Sequence, residues 1–194
     1  MNRITIFTIL SLILACNNDD KALELYNQAV IQYINKDLVG AERLCIQSIN
    51  ESKIPEAFFL LSKIYYFTNN QQFESTIKKY IKYTHSSQGY TLYARWCIEH
   101  NNKKKAIENC NRALSHSPND PIALYLLGTI YYTDKNYEDA IITFHKAFPN
   151  YFYFMLIHKQ LTSIYNDIDL PERAMKHQKM IHAIEDFENN TIGE

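Results

Sequence analysis

Apolar and polar positions follow a helical period along most of the chain, and one block of the pattern returns about every 34 residues. Ile122–Thr133 reads as one amphipathic helix and Tyr137–Phe148 as a second, with Asp134-Lys135-Asn136 as the turn between them. Small residues mark the repeat. Ala94, Ala106 and Ala113 return 34 positions later as Gly128, Ala140 and Ala147, and a further 34 leads to Thr162 and Ala174. Leu127 and Tyr131 map onto Leu161 and Tyr165 at the same interval. Pro118 closes one block and Pro121 opens the next. The spacing predicts paired helices that approach closely at Gly128 and Ala140, with Tyr131, Tyr137 and Phe144 filling the remaining volume.

The pattern weakens upstream without disappearing. Ala29, Ala41 and Ser48 keep the small-residue spacing, with Asp37 in the turn. The next block opens at Pro55 and keeps Leu61, Ser62 and Tyr65, but its second helix, Gln71–Thr84, is displaced by one or two residues. A longer turn at Asn69-Asn70-Gln71 accounts for the shift. Downstream, Pro171 starts a last second helix whose Lys176-His177-Gln178-Lys179 run is polar, as an end cap requires. The expected domain is therefore 22–188, in pairs near 22–54, 55–86, 87–120, 121–154 and 155–188, followed by a tail at 189–194.

These positions resemble the tetratricopeptide repeat. The clearest unit supplies Leu124, Leu127-Gly128, Tyr131, Tyr137, Ala140, Phe144 and Ala147, with Leu124 in an aromatic place and Pro149 earlier than the closing proline of the family. The unit before it supplies Tyr90, Ala94, Ala106, Ala113 and Pro118, with Cys97 and Cys110 at two aromatic places. The resemblance implies an all-α fold, a right-handed α-solenoid of about five helix pairs, or ten helices.

The first residues follow a different rule. MNRITIFTILSLILAC carries one charge, Arg3, then an apolar run over residues 4–15. A helix over that run would span roughly 18 Å, short of the ~30 Å hydrocarbon core, so the pattern is that of a secretory signal peptide over 1–15 and not of a permanent span. Ile13-Leu14-Ala15-Cys16 resembles the bacterial lipobox. The resemblance implies a covalent lipid on Cys16, a short polar tether over 16–21, and a lipid-anchored, extracytoplasmic place in a bacterial cell envelope, at the inner or the outer membrane.

Composition removes several functions. Twenty basic and 21 acidic residues leave a net charge of −1, which gives no basic face for nucleic acid. The four glycines, Gly40, Gly89, Gly128 and Gly193, are too dispersed for a phosphate loop. The seven histidines form no HExxH and no i,i+4 pair, so they read as surface or satisfied side chains and no metal site is expected. Cys45, Cys97 and Cys110 fall where the repeat wants buried side chains, although Cys97 and Cys110 sit on partner helices and an oxidising compartment would bring a disulfide within reach. No nucleophile–base arrangement is visible, and beyond the lipid no cofactor is expected. The chain reads as non-enzymatic.

Function then rests on a surface. In the repeat family the first helix of each pair lines a concave face. The positions carried over by the resemblance include Tyr26, Tyr33, Phe59, Lys63, Tyr66, Arg95, Tyr125, Tyr132 and Lys159. An aromatic groove with basic side chains suits an extended or helical peptide that carries acidic groups. Some of these rings could instead pack within the array. The expectation is a membrane-anchored protein–protein interaction scaffold with a protein or peptide partner in a cell-envelope assembly complex. The alternatives are a surface-exposed host- or ligand-binding lipoprotein and an accessory subunit of a cell-wall enzyme.

Overall fold

The computed structural model describes the backbone of residues 3–147 and 151–191, and the side chains of residues 18–147 and 153–186. Among the described residues there are ten helices and no strand. They are α1 (Arg3–Ile34), α2 (Leu38–Glu51), α3 (Pro55–Phe67), α4 (Phe73–Thr84), α5 (Ser87–Glu99), α6 (Lys103–His116), α7 (Pro121–Thr133), α8 (Tyr137–Ala147), α9 (Tyr151–Asp167) and α10 (Pro171–Thr191). The fold is all-α, built from paired helices. None of the described helices is long and apolar enough to cross a membrane. The side chains of residues 1–17, the proposed signal peptide and Cys16 among them, lie outside the described residues, as do Pro149 and most of the tail at 189–194.

Local chemistry sets the helix ends. Pro55, Pro121 and Pro171 occupy the first helical positions of α3, α7 and α10, where the missing N–H costs nothing. Asp120 caps α7 by accepting from the backbone N–H groups of Ile122 and Ala123 at 2.9 and 3.0 Å, and Asp37 caps α2 through Gly40 N–H at 2.9 Å. Each turn inside a pair contains one left-handed residue that is not glycine: Lys36, Asn69, Asn101, Lys135 and Asp169. The residue after each one donates its N–H back five positions, as in Asn102 to Cys97 at 2.7 Å, Asn136 to Tyr131 at 3.0 Å and Leu170 to Tyr165 at 2.7 Å. That is the Schellman closure, which satisfies a carbonyl the helix end would otherwise leave open. The α3–α4 turn runs over residues 68–72, two residues longer than the three-residue turn at 134–136. This is the insertion that displaces the second helix of that pair.

Contacts divide the chain into two compact units, 1–85 and 86–194. In the first, α1 packs on α2, α2 on α3, α3 on α4, and α1 touches α3. In the second, each helix from α5 to α10 packs on the next, and the first helices also touch one another, α5 with α7 and α7 with α9. Comparable contacts are absent between α6 and α8 and between α8 and α10 among the described residues. First helices that touch while second helices spread apart place the first helices on the inner side of the curve within the unit.

The repeated small residues hold these contacts. Ala29, Ser62, Ala94 and Gly128 are buried on first helices, and Ala41, Ala106, Ala140 and Ala174 on second helices. In the α7–α8 pair the fit is close: a Cβ at Gly128 would lie 2.8 Å from the ring of Phe144, which is itself fully buried. Cys45 and Cys110 hold the place of Phe144 in their own pairs and are equally inaccessible. α9 begins at Tyr151, a turn ahead of residue 155, where the 34-residue spacing opens the fifth pair. Its added turn carries Tyr153, which is buried against the Leu124–Phe144 core.

The outer helices carry polar side chains in place of core. Ala123, Leu126, Leu127 and Ile130 of α7 are buried, while the residues in the same register on α1, Glu24, Asn27, Gln28 and Ile31, are exposed. At the other end Gln178 stands in the register of Phe144 and lines an open cleft of about 300 Å³ with Asn166, Met175, Lys179 and His182.

Two stability outcomes follow from this packing. Gly128→Ala gains about 1 kcal/mol of helix propensity but forces a methyl into the Phe144 ring, an overpacking cost of about 1–3 kcal/mol. Chemical denaturation should show net destabilisation, partly relieved by Phe144→Leu; a stabilised single variant would contradict the contact. Lys135, at φ 58°, pays the left-handed penalty of an L-residue, so Lys135→Gly should raise the unfolding free energy by about 1 kcal/mol. A loss measured in the same assay would show that the turn is set by the side chain.

Candidate functional site

In the first unit the inner face is built by α1 and α3. It presents Tyr26 and Tyr33 from α1, and Phe59, Lys63 and Tyr66 from α3, all half-buried. Phe59 stacks on Tyr80 of α4 with ring centroids 4.6 Å apart. The Lys63 ammonium lies 4.6 Å from the centroid of the same Phe59 ring, a cation–π contact that keeps the charge at the surface. Tyr66 meets Phe67 edge-on at 5.6 Å and Phe73 at 6.1 Å. Burial raises the phenol pKa of Tyr26 and of Tyr33, with Glu56 and then Cys45 adding to the shift at Tyr26. All of these rings are partly exposed, and Phe59 and Tyr66 are also held by ring contacts within the unit.

In the second unit the carried-over positions fall on α5, α7 and α9, and most are engaged within the unit. Tyr125 packs against Tyr153 at 5.4 Å and Phe144 at 6.0 Å, at the margin of the core. Tyr132 sits 6.2 Å from Tyr137, and its hydroxyl donates to Asp167 at 3.1 Å. Burial first, and the bond to Asp167 next, raise its pKa. Lys159 is exposed and lies 3.9 Å from Glu185. Arg95 is half-buried on α5. Lys63 and Arg95, which the sequence groups together, thus belong to different units: one stands on an aromatic surface, the other beside a face whose tyrosines are already packed.

Cys97 and Cys110 are thiols in this structure and are not joined as a disulfide. Cys110 packs with Ala94, Leu126 and Leu127, so its sulfur serves the helix interface. Burial first, then Asp120 and Cys97, push its pKa up to about 12. Burial followed by Glu42 does the same for Cys45, also to about 12. Neither thiol is a nucleophile at neutral pH.

Of the surface or satisfied histidines expected, His158 and His177 are of the second kind. His158 is buried, and its Nδ1 lies 2.8 Å from Nδ1 of His177 across the α9–α10 pair. His145 of α8 approaches His177 with ring centroids 6.4 Å apart. The sequence carried a signal for this. In the 34-residue register His177 follows the buried polar residues Asn109 and Thr143, and His158 follows the buried Tyr90 and Leu124. Residue spacing along one helix could not reveal a pair made across two. Among the described residues no cluster of three or more His, Cys, Asp and Glu is placed to hold a metal ion.

No curated protein sequence matches the chain. Solved structures of tetratricopeptide-type proteins do match its fold. MamA from Desulfovibrio magneticus RS-1 superposes with a TM-score of 0.73 at 20% identity, covering 86% of this chain and 96% of that one. PilF of Pseudomonas aeruginosa gives 0.76 at 10% identity, over 86% and 78% of the two chains. YrrB, described as a TPR protein with an unusual peptide-binding site, gives 0.66 at 13% identity, over 87% and 88%. At these identities the likeness establishes the fold alone. The family model of the ChAPs, the Chs5p-Arf1p-binding proteins, matches residues 13–192, and the chain belongs to that family.

Proposed function

We propose that this chain is a non-enzymatic protein-interaction scaffold, held at a membrane by a lipid on Cys16, that captures a peptide segment of its partner on the inner face of α1 and α3. The observation that carries this reading is the half-buried aromatic surface of Tyr26, Tyr33, Phe59 and Tyr66 with the Lys63 ammonium set over Phe59. Half-buried rings present apolar area at low entropic cost, and aromatic residues are enriched where interfaces are anchored. The single cation among them favours a ligand with a carboxylate beside an apolar side chain. A family named for binding two proteins supports a protein ligand. The Ile13-Leu14-Ala15-Cys16 run supports the anchor, and a multi-chain lipid holds far more stably than one myristoyl group. The place of action in this proposal is the extracytoplasmic side of a bacterial envelope membrane, within an assembly complex.

Crosslinking of the tagged full chain in its native membrane, followed by identification of the captured protein, tests the binding face. Lys63→Glu combined with Tyr33→Ala should cut capture by about tenfold or more with helicity unchanged, as expected when an anchor residue is lost. The double change Arg95→Ala with Lys159→Ala should have a smaller effect. Equal loss from both pairs, or none from the first, would move the interface off α1 and α3. The anchor is tested separately. Cys16→Ser should abolish incorporation of a labelled fatty acid and release the protein from the membrane fraction. Retention of the label would exclude Cys16 as its site.

A further inference from the structure

Three histidines on consecutive helices of the second unit converge: His145 on α8, His158 on α9 and His177 on α10. The Nδ1 atoms of His158 and His177 are 2.8 Å apart and their rings 4.9 Å apart. Phe154 meets His158 edge-on at 4.4 Å, and Tyr165 stacks on His177 at 5.4 Å. A hydrogen bond from one Nδ1 to another contains one proton, so one imidazole donates and the other must be deprotonated at that atom. With both rings protonated, two N–H groups would point at each other across 2.8 Å and the contact would become repulsive.

We propose that the α9–α10 pair is an acid-released element, in which the His158–His177 hydrogen bond locks α10 onto α9 at neutral pH and protonation of the pair in a mildly acidic medium lets α10 go.

The surroundings agree with this assignment. Burial is the first cause lowering the proton affinity of all three rings. His158 and then His145 add to it at His177, which is held at about 4 against an ordinary 6.5. Among the described residues, the charged side chains on the faces that carry the three rings are Glu138 on α8 and Arg173 and Glu185 on α10; Arg173 lies 5.7 Å over the ring of Tyr165, and Glu185 meets Lys159 of α9 at 3.9 Å. The tyrosines of α7 and α9 facing this core are Tyr125, Tyr131, Tyr153 and Tyr165. Because the docked-state pKa is depressed, docking is fully stabilised above pH 6.5 and loses that contribution as pH falls from 6.5 towards 4. Arg173 over Tyr165 and the Lys159–Glu185 contact at 3.9 Å also tie α10 to α9, but α10 buries little apolar surface. Its described buried residues are Ala174 and Ile181, while Met175 and Met180 are exposed. Its departure would uncover the core around Ile157, Leu161 and Ile164.

Amide hydrogen exchange of the full chain, corrected for intrinsic rates, tests the lock at pH 7.5 and 5.0. Protection of α10 should fall on the order of thirtyfold at pH 5.0, the ratio that follows for one proton from values of 6.5 and about 4, while α5–α7 keep theirs. In the double variant His158→Asn with His177→Asn, whose amides bond without titrating, the fall should vanish. Should that variant not fold, side-chain NMR of the unaltered protein decides: His158 and His177 should take up protons only as α10 protection is lost. Unchanged protection between the two pH values would overturn the proposal. So would an undiminished fall in the double variant, or titration of both rings near 6.5 with α10 still protected.

Discussion

The closeness of paired helices is the constraint on which the structure depends. The α1–α2, α5–α6 and α7–α8 pairs close because small side chains stand where the two backbones approach, and the space left at that point accepts one knob from the partner helix. In the α7–α8 pair the small residue is Gly128 and the knob is Phe144. In other pairs Ala29 and Ala94 are the small residues and Cys45 and Cys110 the knobs. The turn between paired helices must then be short and sharply reversed, and the left-handed residues Lys36, Asn101 and Lys135 accept conformational strain to achieve it. The strain of roughly 1 kcal/mol per turn is small beside the burial of the core that each turn makes possible. Once the pairs are set, the contacts of α5 with α7 and α7 with α9 follow, and with them the inner face.

That face does two kinds of work in the two units. On α1 and α3 the aromatic rings are half-buried and a lysine rests on one of them, leaving apolar area and a positive charge at the surface. On α7 and α9 the equivalent rings are drawn into the core or bonded to Asp167, and Lys159 meets Glu185. The difference explains why the binding proposal centres on the first unit although the repeat register treats both alike.

Much of the fold could be read from the sequence because it is written locally. Small residues at a constant interval, prolines at helix starts and polar turns each act within a few residues of one another. The five-residue α3–α4 turn showed itself as a register slip. What escaped is what two helices make together. The burial of Cys97 and Cys110 was legible in the repeat register; that Cys110 packs among Ala94, Leu126 and Leu127 and is not joined to Cys97 was not. The His158–His177 bond joins residues 19 apart, a separation with no meaning on one helix. The extra first turn of α9 was hidden because it is an addition to the repeat, supported by burial of Tyr153 alone among its described side chains.

In the proposed function, partners are met by first helices and not by second ones. Hydrogen-exchange footprinting of the chain in its captured complex, against the chain alone, measures this without altering a residue. Binding should slow exchange in α1 and α3 and leave α2 and α4 unchanged. Slowing confined to α2 and α4 would contradict it and place the interface on the opposite side of the unit.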